Sequence, residues 1–266
     1  MSAPRQASLL ILSAVGAAAL LVACGGGGGG DDAAPVSTAL SGTVVKGPVN
    51  GAEVCAYRAT ATGKGEKIEC VTTGSTGSYA MDIDYEGDVV VEASGGNYAD
   101  EATGTTKALD APMQVVVRAG GGSVTGMVTP LTSVAYNVAR GASGGLTSAG
   151  FTTAAGTVAS RFQLTNVNIA TAKPVVTGTT DAYGRLLRAV SQFQANGGTL
   201  AAFQAFSNPA ALQAAFTTAY STINGTTISF NFTGTTPNPG GGGGSSGGSC
   251  GITVSGSGTV KHNGNT

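Results

Sequence analysis

An antiparallel β-sandwich followed by a small α-helical bundle, together an α+β multidomain chain, is the fold class this sequence predicts, and three observations carry that reading. Only 10% of its 266 residues are charged while 44 are Gly, against about a quarter charged in ordinary globular chains. Between Leu40 and Ala119 short apolar runs recur about every eight to twelve residues between turn signals, the cadence of a sandwich. Beyond Val124 the apolar period changes to i, i+3, i+4 and i+7, which is helical.

The strands follow in order. Thr43-Val44-Val45 is the first, closed by Gly47-Pro48 and Asn50-Gly51. A second holds Val54 and Ala56 alternating with Glu53 and Cys55, and Ile68 to Thr72 forms a third after the turn around Thr62-Gly63-Lys64-Gly65. In the fourth, Ser78 to Tyr85, Tyr79, Met81, Ile83 and Tyr85 share one face and Ser78, Asp82 and Asp84 the other, so one side is buried. Gly87-Asp88 turns the chain into Val89 to Ala93, and Met113 to Val117 completes about six strands.

The helices carry their own start signals. Thr129-Pro130 places a capping hydroxyl before a proline at the first helical position, and Leu131, Val134, Ala135 and Val138 follow as an apolar stripe. Phe151, Ala155, Val158 and Phe162 make a second stripe. Asp181 caps a third, with Tyr183, Leu186, Leu187, Val190 and Phe193, and Asn208-Pro209 opens a last one with Leu212, Phe216, Tyr220 and Ile223. Between these lies a short turn, Leu200 to Phe206, and after them Thr227 to Phe232 reads as one more strand. Apolar rows at helical spacing are read as a bundle core rather than as ligand-lining surfaces.

The two ends read differently. Arg5 precedes an apolar run from Ala7 to Ala23 broken by Ser8, Ser13 and Gly16, which has the n-region and h-region of a signal peptide spanning residues 1–23 and is short for a membrane span. Leu21-Val22-Ala23-Cys24 resembles the bacterial lipobox, which implies cleavage before Cys24 and lipid on its sulfur. Each buried methylene contributes roughly 0.8 kcal/mol, so two or three acyl chains hold a protein on a membrane essentially permanently. In such lipoproteins an aspartate after the cysteine implies inner-membrane retention; Gly25 stands there, which favours the outer membrane. Gly25 to Gly30 and Asp31 to Pro35 fall in a Gly-rich tether assigned to residues 24–40. At the other end, Pro237-Asn238-Pro239 and the Gly/Ser run after it form a linker over 234–249, and 250–266 is expected to be the start of a further β segment.

Four stretches carry a second resemblance: Gly42-Thr43-Val44, Gly47-Pro48-Val49-Asn50-Gly51-Ala52-Glu53-Val54, Thr76-Gly77-Ser78-Tyr79, and Val89-Val90-Val91-Glu92-Ala93-Ser94-Gly95-Gly96. Together they resemble the carboxypeptidase regulatory-like family, a transthyretin-like sandwich related to the B-type repeats of bacterial surface adhesins, over residues 41–119. The resemblance implies a structural or docking module without enzyme activity. Some adhesin relatives join a first-strand lysine to an asparagine or aspartate of the last strand; here Lys46 faces only Gln114, and the pattern is incomplete. Residues 124–233 form the mainly helical part.

Cys55 and Cys70 stand symmetrically about the Thr62-Gly63 turn, so a hairpin of the second and third strands sets them opposite one another as a disulfide pair. Cys250 is left unpaired.

Several function classes fall away on residue chemistry. A charge of −1 with 13 scattered basic residues offers no phosphate-neutralising stripe, so no nucleic-acid partner is expected. The single histidine, His262, stands near the end of the chain in a Gly- and Asn-bearing stretch, which leaves neither a nucleophile–base pair nor a metal set, and no cofactor or metal is expected. Asp82-Ile83-Asp84-Tyr85-Glu86-Gly87 lacks the twelfth-position acid of a calcium loop, where Ala93 stands. The alternation of Asp82, Asp84, Glu86, Asp88 and Glu92 puts several of them on an exposed face, and no glycosidase pair is expected. The expectation is a non-catalytic, lipid-anchored cell-envelope protein with a binding or structural role toward a surface protein or polysaccharide. The alternative is an accessory module holding polysaccharide or peptide for exported enzymes.

Overall fold

Alternating burial builds the first strand earlier than its composition suggests. In the computed structural model, which describes residues 36–233, β1 runs Ser37–Val44 with Thr38 and Leu40 turned inward. It therefore takes up the end of the expected tether, where Ser-Thr-Ala-Leu carries little strand signal of its own. The signal peptide, Cys24, the 234–249 linker, Cys250 and His262 all lie outside the described residues.

Further strands follow as β2 Glu53–Thr60, β3 Gly63–Thr72, β4 Ser78–Asp84, β5 Gly87–Ser94, β6 Asn97–Ala99, β7 Thr106–Ala108, β8 Met113–Ala119 and β9 Gly122–Val128. One sheet has the order β4-β1-β9 and a second the order β3-β2-β5-β8, while β6 and β7 pair as a separate ribbon. The pairings are antiparallel except for β1 with β9, which is parallel. The two larger sheets approach closely: a methyl group at Gly126 of β9 would stand 3.1 Å from Val115 Cγ1 and 3.3 Å from Val117 Cγ1, both on β8.

Among the described residues five helices follow: α1 Pro130–Arg140, α2 Ser148–Arg161, α3 Ala182–Ala195, α4 Leu200–Ala205 and α5 Pro209–Asn224. Their caps are Thr129, Thr147, Asp181, Thr199 and Asn208, whose side-chain oxygens accept from backbone N–H groups otherwise left without partners. Among the described residues no helix is long and apolar enough to cross a membrane.

Four expectations need correction: nine strands stand among the described residues where about six are expected, the turn expected from Leu200 to Phe206 is helix α4, and two segments change type. The segment from Val124 to Val128, placed at the start of the helical part, belongs to β9 and pairs with β1, its strand character masked by Gly122 and Gly126. Thr227 to Phe232 is not a strand; Phe230 and Phe232 instead bury their rings against Phe162 and Phe216. A single buried cluster runs from Leu40 in β1 to Phe232, through both sheets and the helices. Strands and helices thus differ in type along the chain while sharing one core.

Candidate functional site

A lysine inside that core is the least expected feature of the fold. Lys46 follows β1 in a tight turn where Val45 N–H donates to Val128 O (2.9 Å) and Val45 bridges Pro48, so the backbone commits the side chain inward. It is 0% exposed. Its ammonium donates to Ser191 Oγ on α3 (2.6 Å) and lies 4.9 Å from the centre of the Tyr98 ring. Ser191 in turn donates to Glu101 Oε2 (2.5 Å), so the serine hydroxyl relays the cation to a carboxylate.

The β6–β7 ribbon supplies the acids. Asp100, 2% exposed, accepts from Thr103 N–H (2.9 Å) and Thr103 Oγ1 (2.8 Å) through Oδ1, with Lys107 Nζ at 3.4 Å. Asp100 Oδ2 and Glu101 Oε1 are buried with no hydrogen-bond partner. Gly47 admits this approach: a methyl there would meet Ala99 O at 2.8 Å and Glu101 Oε1 at 3.4 Å.

Burial brings the Lys46 ammonium down to about 8, against the pull of Glu101, Asp100 and Asp110. Burial likewise raises the Glu101 carboxyl, with Lys46 and Ser191 acting the other way. For Asp100 burial also disfavours the charge, but the Thr103 hydrogen bonds and the two lysines outweigh it and hold the carboxyl low. A lysine hydrogen-bonded to a serine has the composition of a general base and its nucleophile. Here both are 0% exposed, so the hydroxyl is closed to solvent and the pair joins the β1–β2 loop to α3.

Cys55 stands directly opposite Cys70 across β2 and β3, with Cα atoms 4.1 Å apart and the sulfurs joined at 2.04 Å. Glu53 lies close enough to make a three-residue group with them, yet the bonded sulfurs leave no thiolate for a metal. The acidic run does not converge. Asp82 and Asp84 face outward from β4, Asp88 meets Arg118 (3.5 Å) and Ser148, and Glu92 accepts from Lys64 and from Gln114 (2.9 Å). Gln114 is thereby engaged with Glu92, and Lys46 with Ser191.

Sequence reading missed Asp100, Glu101 and Ser191. One signal was available: Lys46 interrupts Val44-Val45-Lys46-Gly47-Pro48-Val49, an otherwise buried stretch, and Ser191 sits on the apolar stripe of α3 between Val190 and Phe193.

The chain's seven Tyr and eight Phe, with no Trp, all fall within the described residues, and none is exposed. Tyr57 and Tyr85, the two half-buried ones, have Lys64 and Arg58 over their rings at 4.9 and 5.0 Å.

No family model matches the chain, and no curated protein matches it. Among solved structures it is similar to BcpA, the major pilin subunit of Bacillus cereus, with 18% identity and a TM-score of 0.26 over 36% of this chain and 30% of that one. A likeness of that size carries no argument about fold or function.

Proposed function

We propose that this chain is a lipid-anchored, non-catalytic protein of the bacterial cell envelope whose folded part serves a binding or structural role. The observation that carries the reading is Leu21-Val22-Ala23-Cys24 at the end of an apolar run, followed by Gly25 to Gly30. Gly25 directly after the cysteine favours the outer membrane over the inner. The two larger sheets are read as a transthyretin-like sandwich, supported by the close approach of β9 to β8 and by the alternating inward faces of β1 and β4.

Two features favour this reading over an accessory polysaccharide-binding module and over an enzyme. Stacking on sugars requires an open aromatic face, and each aromatic ring here is buried or has a cation over it. The Lys46–Ser191 pair, the arrangement nearest to a catalytic one, is sealed.

The test is intact mass and membrane fractionation of wild type beside Cys24→Ser. The expected result is a mature N-terminus at Cys24 bearing acyl mass in the membrane fraction, with the variant unprocessed or soluble. A soluble, unacylated wild type overturns the anchored reading.

A further inference from the structure

The ribbon that carries Asp100 and Glu101 is attached to the fold in an unusual way. Residues 95–112 form a strap between β5 and β8, in which β6 and β7 pair with each other and with neither larger sheet. Its backbone meets the β1–β2 loop where Asn97 and Asn50 exchange hydrogen bonds of 2.8 and 2.9 Å. On the helical side the ties described are made by side chains: Ser191 to Glu101, Gln194 Nε2 to Asp110 (3.1 Å), and Gln204 Nε2 to the Pro112 carbonyl (3.1 Å). Lys46 lies beneath the strap, with Tyr98 against its ammonium.

We propose that the Lys46–Ser191–Glu101 relay is a proton-responsive latch that holds the strap of residues 95–112 closed between the β1–β2 loop and α3. Three elements meet in two hydrogen bonds, and while the strap is shut Lys46 and Ser191 are fully buried and Glu101 is half-buried. The charges facing Lys46 come from the strap: Glu101 and Asp100 in the turn after β6, Lys107 on β7 and Asp110 beyond it. From α3 the uncharged Ser191 meets it, and the charges that act on it are those of the strap. Opening the strap returns the ammonium to water.

The sign follows from linkage. In the closed state Lys46 loses its proton near pH 8, whereas a hydrated lysine keeps it to about 10.5, so opening takes up a proton between those values. Opening is therefore disfavoured as pH rises through that window. The same two values give a fall of about tenfold in the opening equilibrium between pH 7 and pH 9.

Pulsed hydrogen exchange on the full chain, corrected for intrinsic exchange rates, reads this directly. Peptides from 95–112 are compared with a control peptide from β5 in wild type, Lys46→Met and Ser191→Ala. In wild type the strap gains about tenfold protection from pH 7 to pH 9 while β5 does not change. Lys46→Met abolishes that gain, and Ser191→Ala lowers strap protection several-fold with β5 unchanged. A strap whose opening is independent of pH in the folded wild type, or one that keeps its pH dependence in Lys46→Met, overturns the latch. Where Lys46→Met does not fold, Ser191→Ala decides alone: strap protection equal to wild type overturns the proposal.

Discussion

Gly42 shows how one absent side chain organises three strands. Tyr79 on β4, Gly42 on β1 and Gly126 on β9 stand in register, and the Tyr79 hydroxyl donates to the Gly126 carbonyl at 2.7 Å in the buried interior. A methyl at Gly42 would lie 1.8 Å from that carbonyl and 2.7 Å from the Tyr79 oxygen. Gly42→Ala must therefore move a strand or expel the ring, and is expected to cost at least about 3 kcal/mol in denaturant unfolding. Tyr79→Phe removes only the hydroxyl and should cost about 1–2 kcal/mol. If the two variants are equally stable, the glycine is not holding the row together. In the sequence, Gly42 and the inward face of Tyr79 are both visible, but not that one lies against the other. That depends on β1 pairing with β4 across the 33 residues between Val44 and Ser78, a long-range register no local pattern encodes. The Cys55–Cys70 bridge is local by comparison, since one hairpin sets the pair opposite. Its reduction is expected to lower stability by about 3 kcal/mol, measured as the unfolding midpoint with and without reductant.

At the scale of elements, a capping residue before a long apolar stripe made the starts of α1, α3 and α5 legible, whereas α4, capped by Thr199 but only six residues long, and the glycine-bearing β9 were not. Thr129 accepts from Thr132 N–H while the Thr132 side chain accepts from Thr129 N–H, a reciprocal cap readable from Thr-Pro before an apolar stripe. Its hydroxyl also meets the Tyr183 hydroxyl at 2.7 Å, a tie to α3 that the local sequence does not reveal. Thr129→Ala should cost about 1–2 kcal/mol, and Thr129→Ser should recover most of it in the same thermal unfolding series. In contrast, β9 was obscured because Gly122 and Gly126 have the composition of a turn, and its parallel partner β1 is distant in sequence. Asp88 joins elements electrostatically, accepting from Ser148 N–H (3.0 Å) and Ser148 Oγ (2.7 Å) at the first turn of α2. Burial works against its charge, but the Ser148 bonds and the Arg118 guanidinium prevail and hold its carboxyl below the usual range. A depressed folded value means a contribution present above the ordinary carboxylate pKa and lost as pH falls through the folded one. Stability of Asp88→Asn should accordingly lose less on acidification below pH 4 than wild type does, in parallel urea titrations.

Across the whole molecule, the change from strand period to helical period suggests two parts, whereas the buried residues are continuous. Asp88 of β5 binds the start of α2, Gln114 N–H of β8 donates to Ser133 Oγ of α1 (2.9 Å), and Lys46 after β1 reaches Ser191 of α3, so three polar ties join the strand half to the helices beside the apolar packing. At the far end Phe230 and Phe232 close the cluster, Phe232 lying 4.6 Å from Phe162 and its N–H donating to Gln213 (2.8 Å). Phe232→Ala opens a cavity beneath a ring that is 1% exposed and should cost about 3–5 kcal/mol. How that loss spreads distinguishes the two organisations. With separate cores, helical circular dichroism would fall at lower denaturant while β5 amides stayed protected. A shared core instead requires helical ellipticity and β5 protection to be lost together, in wild type and variant alike, with both midpoints lower in Phe232→Ala. A variant in which the helices melt first and β5 retains wild-type protection would show that the sheets can stand alone and that the contact between layers contributes little to cooperativity.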